Sequence, residues 1–161
     1  MKFTESKESG PHAKLLALSG DWHGMTTTWF EPNVVADESP MTGTFRPILD
    51  GRFVLHEYKG ELQGKSFEGA AIIGFDLATN KFQMAWVDSF HMSTGIMFSE
   101  GDPANHPSVT GSYFAGEGEP RWGWRTEINQ IDPDNIVLTA FNLMPDGEEA
   151  KATETRYERR N

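Results

Sequence analysis

Two carboxylates stand where the alternation of a strand places them beside apolar side chains. In the stretch 81–89, Phe82, Met84, Trp86 and Asp88 share one face with Phe90, while Lys81, Gln83, Ala85, Val87 and Ser89 share the other. In 52–60, Phe53 and Leu55 bring Glu57 with them. The competing face holds Val54, His56 and Tyr58, and alternation leaves both choices open. A carboxyl buried without a cation has a raised pKa, which makes Glu57 and Asp88 the candidate catalytic acids or bases. A carboxylate that pairs with Arg46, Arg125 or Arg156, or that accepts from a turn, is structural instead. Around these two groups, Phe67, Trp86, Trp122 and Trp124 supply the aromatic walls that a small-molecule site uses. A tryptophan inside a barrel also serves simply as core, and Trp22 reads that way.

Other chemistries find no support. His23, His56 and His91 fall on different runs without short metal-ligand spacing, so no metal site is expected. The chain has no Cys, which removes disulfides, thiolate nucleophiles and zinc–sulfur sites. Nothing resembles a phosphate-binding loop, a dinucleotide fingerprint or a nucleophile elbow. A net charge of −10, from 14 basic and 24 acidic residues, argues against nucleic acid and against an anionic membrane surface. Apolar runs are only a few residues long, far short of the roughly 20 that span a bilayer. The opening MKFTESKESGPHAKLL shows no apolar leader, and the expectation is a cytoplasmic protein.

The elements that position these residues are nearly all strands. One stretch, 12–18, reads as a helix of about two turns after Gly10-Pro11, suited to a plug or lid. From Gly20 onward the period is two, and ten runs stand out: 21–30, 41–49, 52–60, 65–75, 81–89, 92–99, 108–115, 121–131, 135–144 and 149–158. Asp50-Gly51, Gly64, Thr79-Asn80, Pro133-Asp134-Asn135 and Pro145-Asp146-Gly147 punctuate them as turns. No gap holds a crossover helix, so neighbours pair antiparallel in a meander. Such a meander leaves two open edges unless it closes, which predicts an all-β, up-and-down antiparallel barrel of about ten strands. A two-sheet sandwich is the rival, although it needs longer connections. The expected organisation is a tail and short helix over 1–19 and one barrel domain over 20–161.

Gly20-Asp21-Trp22, a Gly-x-Trp on the first strand after a short helix, resembles the calycin barrels: lipocalins, fatty-acid-binding proteins and nitrobindin-like haem barrels. Gly51-Arg52-Phe53, Phe67-Glu68-Gly69, Gly74-Phe75-Asp76, Trp86-Val87-Asp88-Ser89 and Pro145-Asp146-Gly147-Glu148-Glu149 extend the likeness. In that order they resemble the lipocalin-like bacterial family called domain of unknown function 1579, over nearly the whole chain. The resemblance implies the fold and brings no activity with it. Nitrobindin-like barrels hold haem through a histidine near the C-terminal strands, and here no His follows His106, so no cofactor is expected. Fatty-acid-binding barrels carry Arg-x-Tyr on the last strand. Arg156 and Tyr157 are adjacent, which alternation sends to opposite faces.

A meander alternates its ends. If the first strand starts at the closed end, the connections at 31–40, 60–65, 89–92, 115–120 and 145–149 all lie at the mouth, with 31–40 a candidate flap. Direction and alternation together gather Glu57, Phe67, Trp86, Asp88, Trp122 and Trp124 in the half nearest the mouth, with His91, Tyr113 and Asn142 at the rim. Glu57 and Asp88, two strands apart, would have backbones about 10 Å apart at roughly 4.8 Å per strand. Ten strands enclose more room than eight, whose side chains nearly fill the interior. The expected function is therefore a lipocalin-like barrel binding a small, largely apolar or aromatic molecule, as a monomer or homodimer. A cofactor-independent lyase, isomerase or cyclase using the two carboxylates is the alternative, and a solid barrel acting as an interaction module is the second.

Overall fold

A computed structural model gives the architecture of the protein over residues 1–161. The period-two runs form β1 (Gly20–Glu31), β2 (Val34–Ile48), β3 (Phe53–Leu62), β4 (Lys65–Asp76) and β5 (Lys81–Asp88). They continue as β6 (Met97–Gly101), β7 (Ser108–Tyr113), β8 (Trp122–Asp132), β9 (Asn135–Leu143) and β10 (Glu149–Arg159). Every strand pairs antiparallel with its chain neighbours, and β1 pairs with β10 to close the barrel. Closure removes the exposed edges that an open meander would leave. The expected barrel is the observed one.

Three boundaries differ from the expectation for physical reasons. The expected strand 92–99 runs as Met97–Gly101, because the chain leaves the ladder after Asp88 and 89–96 form a loop. The stretch 31–40 is no flap. β1 and β2 run out together to a two-residue connection, Pro32-Asn33, with Glu31 opposite Val34 and Asn33 at φ 62°. Asp37, Glu38 and Pro40 look like loop chemistry, but β1 offers them a pairing partner. Asp37 also ties the hairpin down, accepting from the Gln63 backbone N–H at 3.1 Å and from the Ser39 hydroxyl at 2.6 Å. The N-terminal helix is two helices, α1 (Phe3–Ser9) and α2 (Pro11–Leu16), broken at Gly10. α1 has no apolar periodicity to announce it; the buried Ser6 hydroxyl holds it to His12 Nδ1 at 2.8 Å.

The helical pair covers the end where β1 begins. Leu15 and Leu18 are buried there, and His12 packs edge-on against Phe75. Trp22, fully buried, donates its indole N–H to the Leu18 carbonyl at 2.8 Å. The Arg159 guanidinium lies 4.3 Å from the Trp22 ring and donates to the Ser19 carbonyl at 2.5 Å. Trp22 is thus core. The opposite end carries the connections after β1, β3, β5, β7 and β9, as the alternation of a meander requires. No helix is long and apolar enough to cross a membrane.

Candidate functional site

Closure decides which face of β3 looks inward. Phe45 stands opposite His56 on β2, and Ala71 stands opposite His56 on β4, so Val54, His56 and Tyr58 point into the barrel. Glu57 therefore points out. Its carboxylate meets Arg46 at 3.5 Å with both side chains more than half exposed, a surface pair worth about 0–1 kcal/mol. The sequence expectation of Glu57 in the interior is overturned, and with it the Glu57–Asp88 pair. The residues missed are His56 and Tyr58, together with Tyr157 from β10. The signal for His56 and Tyr58 was present in the competing face of 52–60.

Asp88 is where alternation put it, at the mouth end of β5 with its side chain almost completely buried. No arginine comes near. Arg125 forks onto Glu149 at 2.7 and 3.1 Å, and Arg156 meets Glu154 at 3.4 Å. Asp88 is instead wrapped in donors. Tyr58 donates its hydroxyl to Oδ2, while Oδ1 accepts the Phe90 and His91 backbone N–H groups, each at 2.7 Å, and lies 3.2 Å from His91 Nδ1. The Tyr58 oxygen in turn accepts the Trp86 indole N–H at 2.7 Å. Burial alone pushes the Asp88 carboxyl up, but the hydrogen bonds and charge of His91 and the Tyr58 hydroxyl outweigh it and hold the carboxyl below its usual range. Burial and the Asp88 charge drive the Tyr58 phenol far above its ordinary value, so it stays a proton donor.

Two glycines make this packing fit. A Cβ on Gly69 would collide with the Tyr58 ring and hydroxyl, and one on Gly43 with the Tyr157 hydroxyl. His56 stacks on Phe45 with ring centroids 4.1 Å apart and 4° between planes, and its Nε2 lies 3.1 Å from the Tyr157 hydroxyl. Complete burial pushes the His56 imidazole down to about 3, so it is neutral.

These groups surround a cavity in the mouth half of the barrel. One wall is apolar, with Trp86 and Trp124 stacked at 5.5 Å beside Phe67, Ile73 and Met84. The other carries Thr26, Thr28, Thr126, Thr155, His56 and Tyr157. The cavity has a volume of about 70 Å³, room for a few waters; an apolar cavity of about 150 Å³ accepts benzene, so a ring needs the space under the mouth loop as well. Trp122 shares the inward side of β8 but lies nearer the rim and does not line the cavity. Tyr113 donates to Asn142 Oδ1 at 2.7 Å at the same rim. His23 is exposed on β1, apart from His56 and His91.

The eight residues 89–96 between β5 and β6 fold over the mouth. Asp88 holds this loop through the Phe90 and His91 N–H groups, which ends the strand at Asp88 and turns Phe90 outward, off the face of Phe82, Met84 and Trp86. The His91 ring becomes the roof, 5.7 Å from both Trp86 and Trp124 and 6.0 Å from Phe67.

The family model described as protein of unknown function (DUF1579) matches residues 7–159. No curated protein matches the chain. With the ordered motifs, the closed barrel and a match running from the first helix to the last strand, the chain belongs to the DUF1579 family.

Proposed function

We propose that the protein binds a small, largely apolar or aromatic molecule of about one ring inside the barrel. The observation that carries this reading is the cavity itself, roofed by His91 and divided into a tryptophan wall and a hydroxyl-rich wall. An apolar enclosure with a few convergent polar groups is the usual form of a small-molecule site. The polar wall has spare capacity. His56 and Tyr157 share one hydrogen bond, which leaves either an imidazole N–H or a phenol O–H without an acceptor. Thr28 and Thr126 also face the space without a side-chain partner, whereas Thr26 and Thr155 bond each other at 2.7 Å. A ligand with one polar group satisfies what the barrel leaves open, and Phe67, Trp86 and Trp124 supply its apolar contacts.

The acid–base alternative gains nothing from the geometry. Its two candidates were Glu57, which lies outside, and Asp88, which is anionic and already accepts from four donors. A general base needs a free lone pair within reach of substrate. The binding reading is tested by native mass spectrometry of the freshly purified protein beside its denatured mass, with a ligand-observed NMR screen of single-ring fragments. Stoichiometric extra mass, or hits weakened at least tenfold in Trp124→Ala of native circular dichroism, is the expected result. A clean mass with no hit in the screen overturns the reading.

A further inference from the structure

Asp88 is a buried carboxylate with no lysine or arginine in ion-pair range; the one basic side chain that reaches it is His91, on the mouth loop. The His91 ring rests in an aromatic box. Trp86, Trp124 and Phe67 approach it within 6.0 Å, and Phe90 packs edge-on at 4.8 Å. Aromatic rings around a desolvated anion form a site for a positively charged, flat or compact group wherever they turn their faces to it, because ring quadrupoles and carboxylate attract the same charge. The exterior adds to this. The protein carries a net charge of −10, and the exposed Glu117, Glu119, Asp146 and Glu148 crowd two of the mouth turns. Lys65 and Arg121 are also exposed at the mouth connections, so this acidic excess adds a modest bias toward ligands of positive charge.

We propose that the ligand of this cavity is an organic cation with an N–H to donate, of the amine or imidazole class, and that the His91 imidazole is its built-in stand-in. The inference rests on the binding reading above and adds the charge of the ligand. The incoming cation takes the place of the ring between Trp86, Trp124 and Asp88. The loop residues 93–96 are solvent-exposed, so His91 has somewhere to go. Its departure costs Asp88 one donor, which the cation replaces, while Tyr58 and the two backbone N–H groups stay in place.

Three probes of matched size and different charge separate the possibilities: benzylammonium, benzyl alcohol and benzoate, titrated against the full chain by tryptophan fluorescence and ligand-observed NMR. Benzylammonium is expected to bind wild type about tenfold more tightly than benzyl alcohol, the scale of a desolvated cation–π contact. Asp88→Asn is expected to abolish that preference. His91→Ala, which empties the box and takes one donor from Asp88 while leaving the carboxylate and its other three donors, is expected to tighten benzylammonium about tenfold, and it decides the matter if Asp88→Asn does not fold. If benzyl alcohol or benzoate binds wild type as well as benzylammonium, the cation inference fails and cavity binding survives. If benzylammonium binds His91→Ala no better than wild type, the stand-in role fails. If no probe binds either protein, the cation inference falls, and the binding reading stands or falls on the native mass and the fragment screen.

Discussion

The neutral imidazole of His56 makes the stability of the barrel depend on pH in a calculable way. Burial pushes His56 down to about 3 from an ordinary 6.5, so the folded state binds no proton there at pH 5 whereas the unfolded chain does. Between those two values the unfolded state holds more protons, and stability falls as pH falls. An unfolded imidazole is about one quarter protonated at pH 7 and almost wholly protonated at pH 5. Integrated over that interval, His56 alone removes about 2 kcal/mol. The figure is insensitive to the folded value, because a folded pKa of about 4 changes it by less than ~0.1 kcal/mol. The assay is urea unfolding followed by the fluorescence of the 5 tryptophans, at pH 7 and pH 5, for wild type and His56→Gln. Gln does not titrate and keeps a donor and an acceptor for Tyr157. His12, also lowered chiefly by burial, is common to both proteins and cancels. Wild type should lose about 2 kcal/mol more than the variant. Equal losses, within about 0.5 kcal/mol, would refute the placement of a buried neutral imidazole at this position.

Three further substitutions test the geometry around it. Tyr58→Phe removes the acceptor of the Trp86 indole and a donor to Asp88, and should cost about 1–3 kcal/mol in urea unfolding. Gly69→Ala drives a methyl into the Tyr58 ring and should cost about 1–3 kcal/mol by the same measurement, with an altered tryptophan emission spectrum as Tyr58 shifts against Trp86. Glu57→Gln breaks only an exposed pair with Arg46, so it should change stability by less than about 1 kcal/mol and leave fragment binding unaltered; a binding defect would return Glu57 to the site.

Much of the fold is legible in one dimension, for a physical reason. A strand exposes alternate residues to opposite surroundings, so ten period-two runs, turn residues at their joints and no room for crossover helices lead to the closed meander that is found. The same arithmetic placed Asp88, Trp86, Phe67 and Trp124 inside and near the mouth, because each strand carries one unambiguous apolar face. It failed where both faces had equal claims. In β3, Leu55 with Glu57 and Val54 with His56 and Tyr58 are each coherent sets. The choice was made by neighbours: Gly43 and Gly69 leave space for Tyr157 and Tyr58, which no property of β3 itself encodes.

The sequence by itself determined the barrel, its direction and its aromatic, acid-bearing interior, since these follow from local alternation and turn chemistry summed along the chain. Only the tertiary structure decided that Glu57 belongs to the surface and that His56, Tyr58 and Tyr157 belong to the cavity. It also decided that Asp88 folds the mouth loop back so that His91 roofs the two tryptophans. A loop residue has no periodicity to betray its direction. The local capture of the His91 backbone N–H by Asp88, three residues earlier, starts the turn, but what the ring then covers, Trp86 on β5 and Trp124 on β8, is brought together only by closure of the barrel.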